Sequence, residues 1–456
     1  MAAEEEVEEA DRSGYLRVLS LSDATLLVIG SIIGAGIFFT PAQIARATQS
    51  PAAFVGVWCL GGVIALCGAL TYAELGGLFP RAGGVYVFLR EAYGGLFGFL
   101  YGWAVLLVIA PGAVAWVAYR FADGLGFFVP GLDVPEKRAV AAATIALLTT
   151  LNVLGVRWGS LVQNVFTGAK LLAIAALAGA ALLHAGPALE PVAAEAMEPT
   201  HGPVVGFLAA MIPVLFSYGG WQNGTYVAAE VKAPRRNVPR AIVLGTLVVI
   251  ATYVLLNLGF VRLLVPQAIA ESDAFASRAA EAALGPIGGS LVAAGIVVSV
   301  FGICAAMLLT NPRVAQAIGA DGLFFRPFGT LHPRFRTPAL AIAVLGTWSI
   351  ALLFTGRIDD LLSSIVFADW LFFALTAGSL FVLRRKHPDA DRPYRCPGYP
   401  AVPLVFLLLA SAMVAVALAT SPSWSSRILG AGLLLAGVPA FFAFRALERR
   451  AGKART

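Results

Sequence analysis

Charged side chains are scarce in this sequence, at 13% of 456 residues, while 59% are hydrophobic and the mean hydropathy is +0.82. A soluble domain carries about 25% charged residues, so water cannot be the main solvent of this surface and lipid must be. Cysteine and histidine are equally sparse, with four of each. Cys59 and Cys67 share one apolar stretch, Cys304 sits in another and Cys396 in a basic loop. There is no CxxC pair and no histidine cluster, which argues against a metal site, a disulfide framework or a metal cofactor. The same sparseness of nucleophiles and acid–base pairs inside the apolar stretches weighs against a membrane enzyme. No filter-like sequence or ring of charge suggests a channel. The first residues, MAAEEEVEEADR, are acidic and lack the basic region of a secretory leader, so no cleaved signal is expected.

Long apolar runs are abundant instead. Stretches of about 20 residues, enough to cross roughly 30 Å of hydrocarbon, lie near 22–47, 54–79, 95–121, 138–156, 161–184, 204–230, 239–263, 287–311, 338–355, 359–383, 400–420 and 425–446. An all-α integral membrane protein with twelve spans is expected. With the N-terminus placed inside, the inner loops and tails hold 23 of the 32 Lys and Arg residues and the outer loops 8, with Lys170 inside a span. That bias follows the positive-inside rule and puts both termini in the cytoplasm. The formal charge of +6 therefore needs no nucleic-acid partner.

Two spans are interrupted at corresponding places, five segments apart. GSIIGAGIFFTP (30–41) breaks the first at Gly34-Ala35-Gly36. FSYGGWQNG (216–224) breaks the sixth at Ser217-Tyr218-Gly219-Gly220, with Pro213 one turn before. Unpaired backbone at membrane depth costs several kcal/mol per group unless protein, water or ligand satisfies it. Matching interruptions in two halves point to an inverted-repeat transporter with its site at the breaks. Gly30 and Gly34 also fit the small-xxx-small spacing of close helix packing, and Gly30 reads as a packing position. A half-helix starting near Ala35 or Gly36 directs free N–H groups and a positive dipole end into the gap. Unwound carbonyls at Gly219-Gly220 face it, and together they suit a carboxylate beside an ammonium. Phe216 and Trp221 flank the second break and either cover a ligand or pack in the helix.

These residues resemble the amino acid–polyamine–organocation superfamily, whose first-helix signature GSIIGAGIFFTP matches. FSYGGW followed by EVKAPRRNVPRAI (230–242) resembles its sixth helix and next loop, most closely in the L-type amino acid transporter branch. The resemblance implies a leucine-transporter-type fold of twelve helices. Segments 21–185 and 203–384 form two inverted five-helix repeats and 399–446 adds two helices, between cytoplasmic ends 1–20 and 447–456. It implies sodium-independent exchange of neutral L-amino acids across the plasma (inner) membrane by alternating access. Proton-coupled uptake and transport of cationic amino acids or polyamines are the alternatives. The second would want acidic residues in the sixth-helix pocket, where Ser217, Gln222 and Asn223 stand.

By matching positions, Ile33, Gly34, Ala35 and Gly36 bind the carboxylate. Phe216, Ser217 and Gly219 offer carbonyls to the ammonium, with Phe216 as gate, and Gly220 and Trp221 are further candidate substrate contacts. Lys170, near the middle of the fifth span where charge is costly and usually functional, takes the place of a sodium ion and braces the broken first helix. Tyr253 connects that lysine to the substrate region. Asp369, midway along the tenth span, could bond a neighbouring helix, line the cavity or take up protons. Glu74 and Glu230, at cytoplasmic helix ends near Arg81 and Lys232, read as gate or loop ion pairs. Animal relatives pair with a glycoprotein through a cysteine in the connection matching 122–137, which has none here. No disulfide-linked heavy chain is expected, and the chain reads as a monomer or weak homo-oligomer.

Overall fold

The computed structural model describes residues 14–34, 36–48, 50–184, 186, 202–271, 275–355, 358–420, 432 and 434–446. Among these residues regular structure is helical apart from one parallel bridge, Leu19 to Val231. Helices α1 (Leu21–Ile32) and α2 (Gly36–Thr48) precede α3 (Pro51–Leu78) and a short α4 (Val85–Tyr93). Next come α5 (Gly95–Ala104) and α6 (Ala110–Leu125), joined by a π-helical turn over Val105–Ile109, then α7 (Val134–Val153) and α8 (Val156–Leu183). The second half begins with α9 (Pro203–Tyr218), a one-turn α10 (Asn223–Tyr226) and α11 (Pro234–Leu263). Short helices α12 (Pro266–Ala270) and α13 (Phe275–Leu284) lead to α14 (Ile287–Thr310) and α15 (Pro312–Ala320). Helices α16 (Ala339–Leu353), α17 (Ile358–Lys386) and α18 (Ala401–Thr420) follow, with a last helical stretch Leu434–Ala446.

A helix thus occupies each of the twelve apolar stretches. Among the described residues, seven helices are long and apolar enough to cross a membrane unaided, or eight when the α1–α2 pair counts as one span. The other four stretches fall short for separate reasons. Helix α7 carries Glu136, Lys137 and Arg138 in its first turns, while Ala339–Leu353, Ala401–Val416 and Leu434–Ala446 are apolar but short. Leu172, Leu183, Val204, Leu208 and Trp158 are all more than half exposed. Large apolar surface of this extent marks contact with a partner or a membrane, and this is a multi-pass membrane protein.

Local chemistry sets the helix ends. Ser20 and Asp23 form a reciprocal capping box at the start of α1, with Ser20 N donating to Asp23 Oδ2 at 2.9 Å and Asp23 N to Ser20 Oγ at 3.2 Å. Pro111 in α6 has no N–H to offer the carbonyl four residues back. That carbonyl, Leu107 O, accepts instead from Trp348 Nε1 of α16 at 3.1 Å, so the π-helical distortion is stitched to a neighbour. Helix α1 packs among α8, α11 and α14. At Gly30 a Cβ would stand 1.8 Å from Gln163 Nε2 and 2.3 Å from Thr167 Oγ1 of α8, so close helix approach, as its spacing suggests, explains this glycine.

Candidate functional site

The last four carbonyls of a helix have no partner within it, and α1 ends at membrane depth. Its carbonyls are met in turn by specific donors. Ile29 O accepts from the Ile33 N–H at 2.8 Å. Lys170 Nζ, on α8 and almost wholly buried, donates to Gly30 O at 3.1 Å and to Ile33 O at 2.6 Å. The Tyr253 hydroxyl of α11 donates to Ile32 O at 3.3 Å. Ser299 Oγ of α14 reaches Gly34 O at 3.3 Å and Ile33 O at 3.5 Å. The ammonium is therefore held in a nest of backbone oxygens, with Ser299 on the far side. Ala35 lies outside the described residues.

The second break is tied to the first. Helix α9 ends at Tyr218, and Gly220 adopts φ +132°, a conformation that favours glycine. A Cβ there would lie 2.4 Å from Ser31 O, so glycine is also what lets the two breaks touch. Tyr253 also reaches Ser217 O at 3.3 Å, and Ser217 Oγ lies 3.0 Å from Thr40 Oγ1 of α2. One phenol thus bridges the unwound ends of α1 and α9. Sequence resemblance had linked Tyr253 to Lys170; here the two act in parallel on neighbouring carbonyls. Gly219 N donates to Phe216 O at 3.2 Å, and Gly220 N to Gln222 Oε1 at 3.1 Å.

A cavity of about 150 Å³ lies where the breaks meet. Of the residues singled out in the sequence, Gly34, Gly36, Phe216, Ser217, Gly219 and Gly220 line it. Ile33, Lys170 and Tyr253 stand behind the wall and act on its backbone. Trp221 turns away: its ring is buried in an aromatic cluster with Tyr72, Phe373 and Phe406, so its role is packing, and its neighbours Gln222 and Asn223 face the cavity. Asp369 also lines it. Trp116, Met307 and Trp370 also belong to the wall, and nothing in their own apolar helices distinguished them. Ser31 was likewise missed, although its buried hydroxyl has no partner among the described residues and its residue lines the cavity.

A second cavity, of about 520 Å³, shares Gly36, Trp116, Phe216 and Val300 with the first and runs past Thr40, Gln43 and Arg120. Phe216, 38% exposed, stands between them. The opposite end is shut by buried charge. Arg313 of α15 grips Glu230 with two bonds of 3.0 Å and also donates to Leu309 O. Arg384 of α17 holds Glu74 through bonds of 2.9 and 2.6 Å, and the Cys396 N–H adds a third at 2.6 Å. The ion pairs expected of Glu74 and Glu230 exist, but Arg81 and Lys232 are not the partners described. Each carboxylate is fully buried, Arg392 of the segment after α17 also stands 3.3 Å from Glu74, and Arg81 pairs with Glu91 instead. The bridge from Leu19 to Val231, with Lys232 N donating to Leu19 O at 2.8 Å, fastens the segment before α1 to the same end.

Two interrupted helices meeting at a small cavity, bordered by Phe216 and Trp116 on one side and by buried ion pairs on the other, define a membrane carrier. Residues 19–438 match the family model described as amino acid permease, and the chain belongs to that family. It is 33% identical to the large neutral amino acids transporter small subunit 2 of Rattus norvegicus over 93% of this chain and 80% of that one. Against the serine/threonine exchanger SteT of Bacillus subtilis the identity is 29%, over 95% of this chain and 98% of that protein. The b(0,+)-type amino acid transporter 1 of Homo sapiens is 31% identical over 91% and 86%.

Proposed function

We propose that the protein exchanges neutral L-amino acids across the plasma membrane by alternating access, without sodium. The observation that carries this reading is the pairing of helix ends at the cavity. The 13-residue α2 begins there, presenting unpaired N–H groups and the positive end of its dipole to a carboxylate. The carboxyl-terminal ends of α1 and α9 come to the same place and suit an ammonium. The names of the transporter and exchanger relatives agree with such a substrate.

Sodium independence is supported by Lys170. Carbonyl oxygens such as those of Gly30 and Ile33 are the ligands a hard cation uses, and here the protein's own ammonium takes both. Twelve spans in two inverted repeats, 21–185 and 203–384, with both termini cytoplasmic, are in keeping with the twelve helix positions and the loop charges. On that orientation the described conformation is open outward and closed inward by the Glu230–Arg313 and Glu74–Arg384 pairs. A chain without cysteine in 122–137 works without a disulfide-linked partner, as a monomer or weak homo-oligomer. The test is exchange in proteoliposomes of purified protein preloaded with unlabelled L-leucine or L-serine. Labelled amino acid should enter only when the lumen is loaded, equally in sodium and choline buffers. No entry of any neutral amino acid, or entry that needs sodium, overturns the proposal.

A further inference from the structure

Asp369 is the acidic residue in the wall of the cavity, on α17 next to Trp370. No ion pair or hydrogen bond reaches it from the described residues. Three phenols on three other helices, Tyr72 of α3, Tyr101 of α5 and Tyr226 of α10, lie within electrostatic reach of it. Two of these, Tyr101 and Tyr226, are hydrogen-bonded to each other. No Lys or Arg stands among the described residues of this wall, and the cations Lys170, Arg313 and Arg384 are engaged elsewhere, by carbonyls of the first break, by Glu230 and by Glu74. Ionisable groups at membrane depth are costly unless paired and mark substrate or ion paths.

A neutral amino acid brings no remedy. It is a zwitterion, and its two charges are matched by the helix ends. The carboxylate of Asp369 is left over, in a chamber whose wall includes the aromatic side chains of Trp116, Phe216, Trp370 and Phe373. Aromatic faces favour cations as well. One further positive charge, carried at the end of a substrate side chain, satisfies both features at once.

We propose that Asp369 is a specificity-determining residue that receives a side-chain ammonium or guanidinium, so that the cavity prefers cationic amino acids to neutral molecules of the same shape. The inference rests on the reading of this cavity as the amino acid site and extends its substrate class. It also revises the expectation that such a preference needs acid on the sixth helix, because α17 supplies the carboxylate to the same space.

The probes are two near-isosteric pairs, L-arginine with L-citrulline and L-lysine with L-norleucine, titrated against the purified full-length protein by equilibrium binding. A charged hydrogen bond in a partly buried site corresponds to a preference of roughly 10- to 100-fold for the charged member. Asp369→Asn should bring that ratio close to one, and Asp369→Glu should keep most of it. Equal binding of charged and neutral members by the wild-type protein overturns the proposal without recourse to any variant. So does a preference that survives in Asp369→Asn. Neutral uptake that follows an imposed proton gradient, with no arginine preference, overturns it in favour of proton binding at the same carboxylate. If arginine fails to bind while leucine exchanges, the charge inference alone is lost. If no amino acid binds or exchanges, the reading of the cavity fails beneath it.

Discussion

Replacing Lys170 by methionine keeps most of the buried side-chain volume and removes only the ammonium. Two carbonyls, Gly30 O and Ile33 O, then lose donors at 3.1 and 2.6 Å. Hydrogen bonds to a charged group are worth about 1.5–3 kcal/mol each, which sets a gross loss of about 3–6 kcal/mol at the first break. Part is offset, since the buried ammonium also sheds a desolvation penalty of several kcal/mol, and global stability is therefore a poor reporter. The affinity for substrate is a better one, because binding requires the carbonyls and N–H groups of 30–36 in one arrangement. If about 2 kcal/mol of the loss falls on that arrangement, substrate binds roughly 30-fold more weakly. Equilibrium binding of a labelled neutral amino acid to wild-type, Lys170→Met and Lys170→Ala protein measures it. The alanine variant also leaves an oxygen-lined void, so high sodium should recover part of its affinity. Binding within about twofold of wild type in both variants would refute the bracing role of Lys170.

Three further substitutions probe other links. Gly220→Ala sets a Cβ 2.4 Å from Ser31 O in a backbone of φ +132°. Strain of about 1–3 kcal/mol plus the clash should abolish exchange while the protein still inserts and purifies, as uptake and size-exclusion profiles report. Arg313→Met strands the buried carboxylate of Glu230, a loss of about 3–5 kcal/mol. Its melting temperature should fall and be largely restored in the Arg313→Met, Glu230→Gln double variant. Phe216→Ala, at a side chain already 38% exposed, should change stability little but weaken substrate binding about tenfold, read as a raised half-saturation in exchange.

The helical class and the places of the twelve apolar stretches were legible because hydrocarbon thickness dictates run length and each run is written in consecutive residues. The breaks were legible for a related reason: Gly34, Gly36, Gly219 and Gly220 are local violations of helix propensity. What could not be read is which side chains converge from distant segments. Trp116 and Met307 sit in apolar helices where nothing local separates a cavity wall from a lipid face. Trp221 shows the converse error, since its neighbour Gly220 belongs to the site while the indole rotates into the cluster with Tyr72 and Phe373. The partners of Glu74 and Glu230 were misassigned for the same reason. Sequence proximity favoured Arg81 and Lys232, but the buried carboxylates are met by cations that packing delivers, Arg384 and Arg392 at Glu74 and Arg313 at Glu230.

The central claim is that substrate occupies the space between the two breaks. Ile303 of α14 lines that space, and its Cδ1 would be 2.9 Å from a Cβ at Gly34. With the four native cysteines replaced, Ile303→Cys offers a thiol beside the first break, and Glu136→Cys offers one on an exposed helix start as control. The rate of modification by a small methanethiosulfonate reagent is then measured with and without saturating transported amino acid. The expected result is at least tenfold protection at position 303 and none at 136. Undiminished labelling at position 303, in protein that still exchanges the same amino acid, would contradict a substrate site at the breaks.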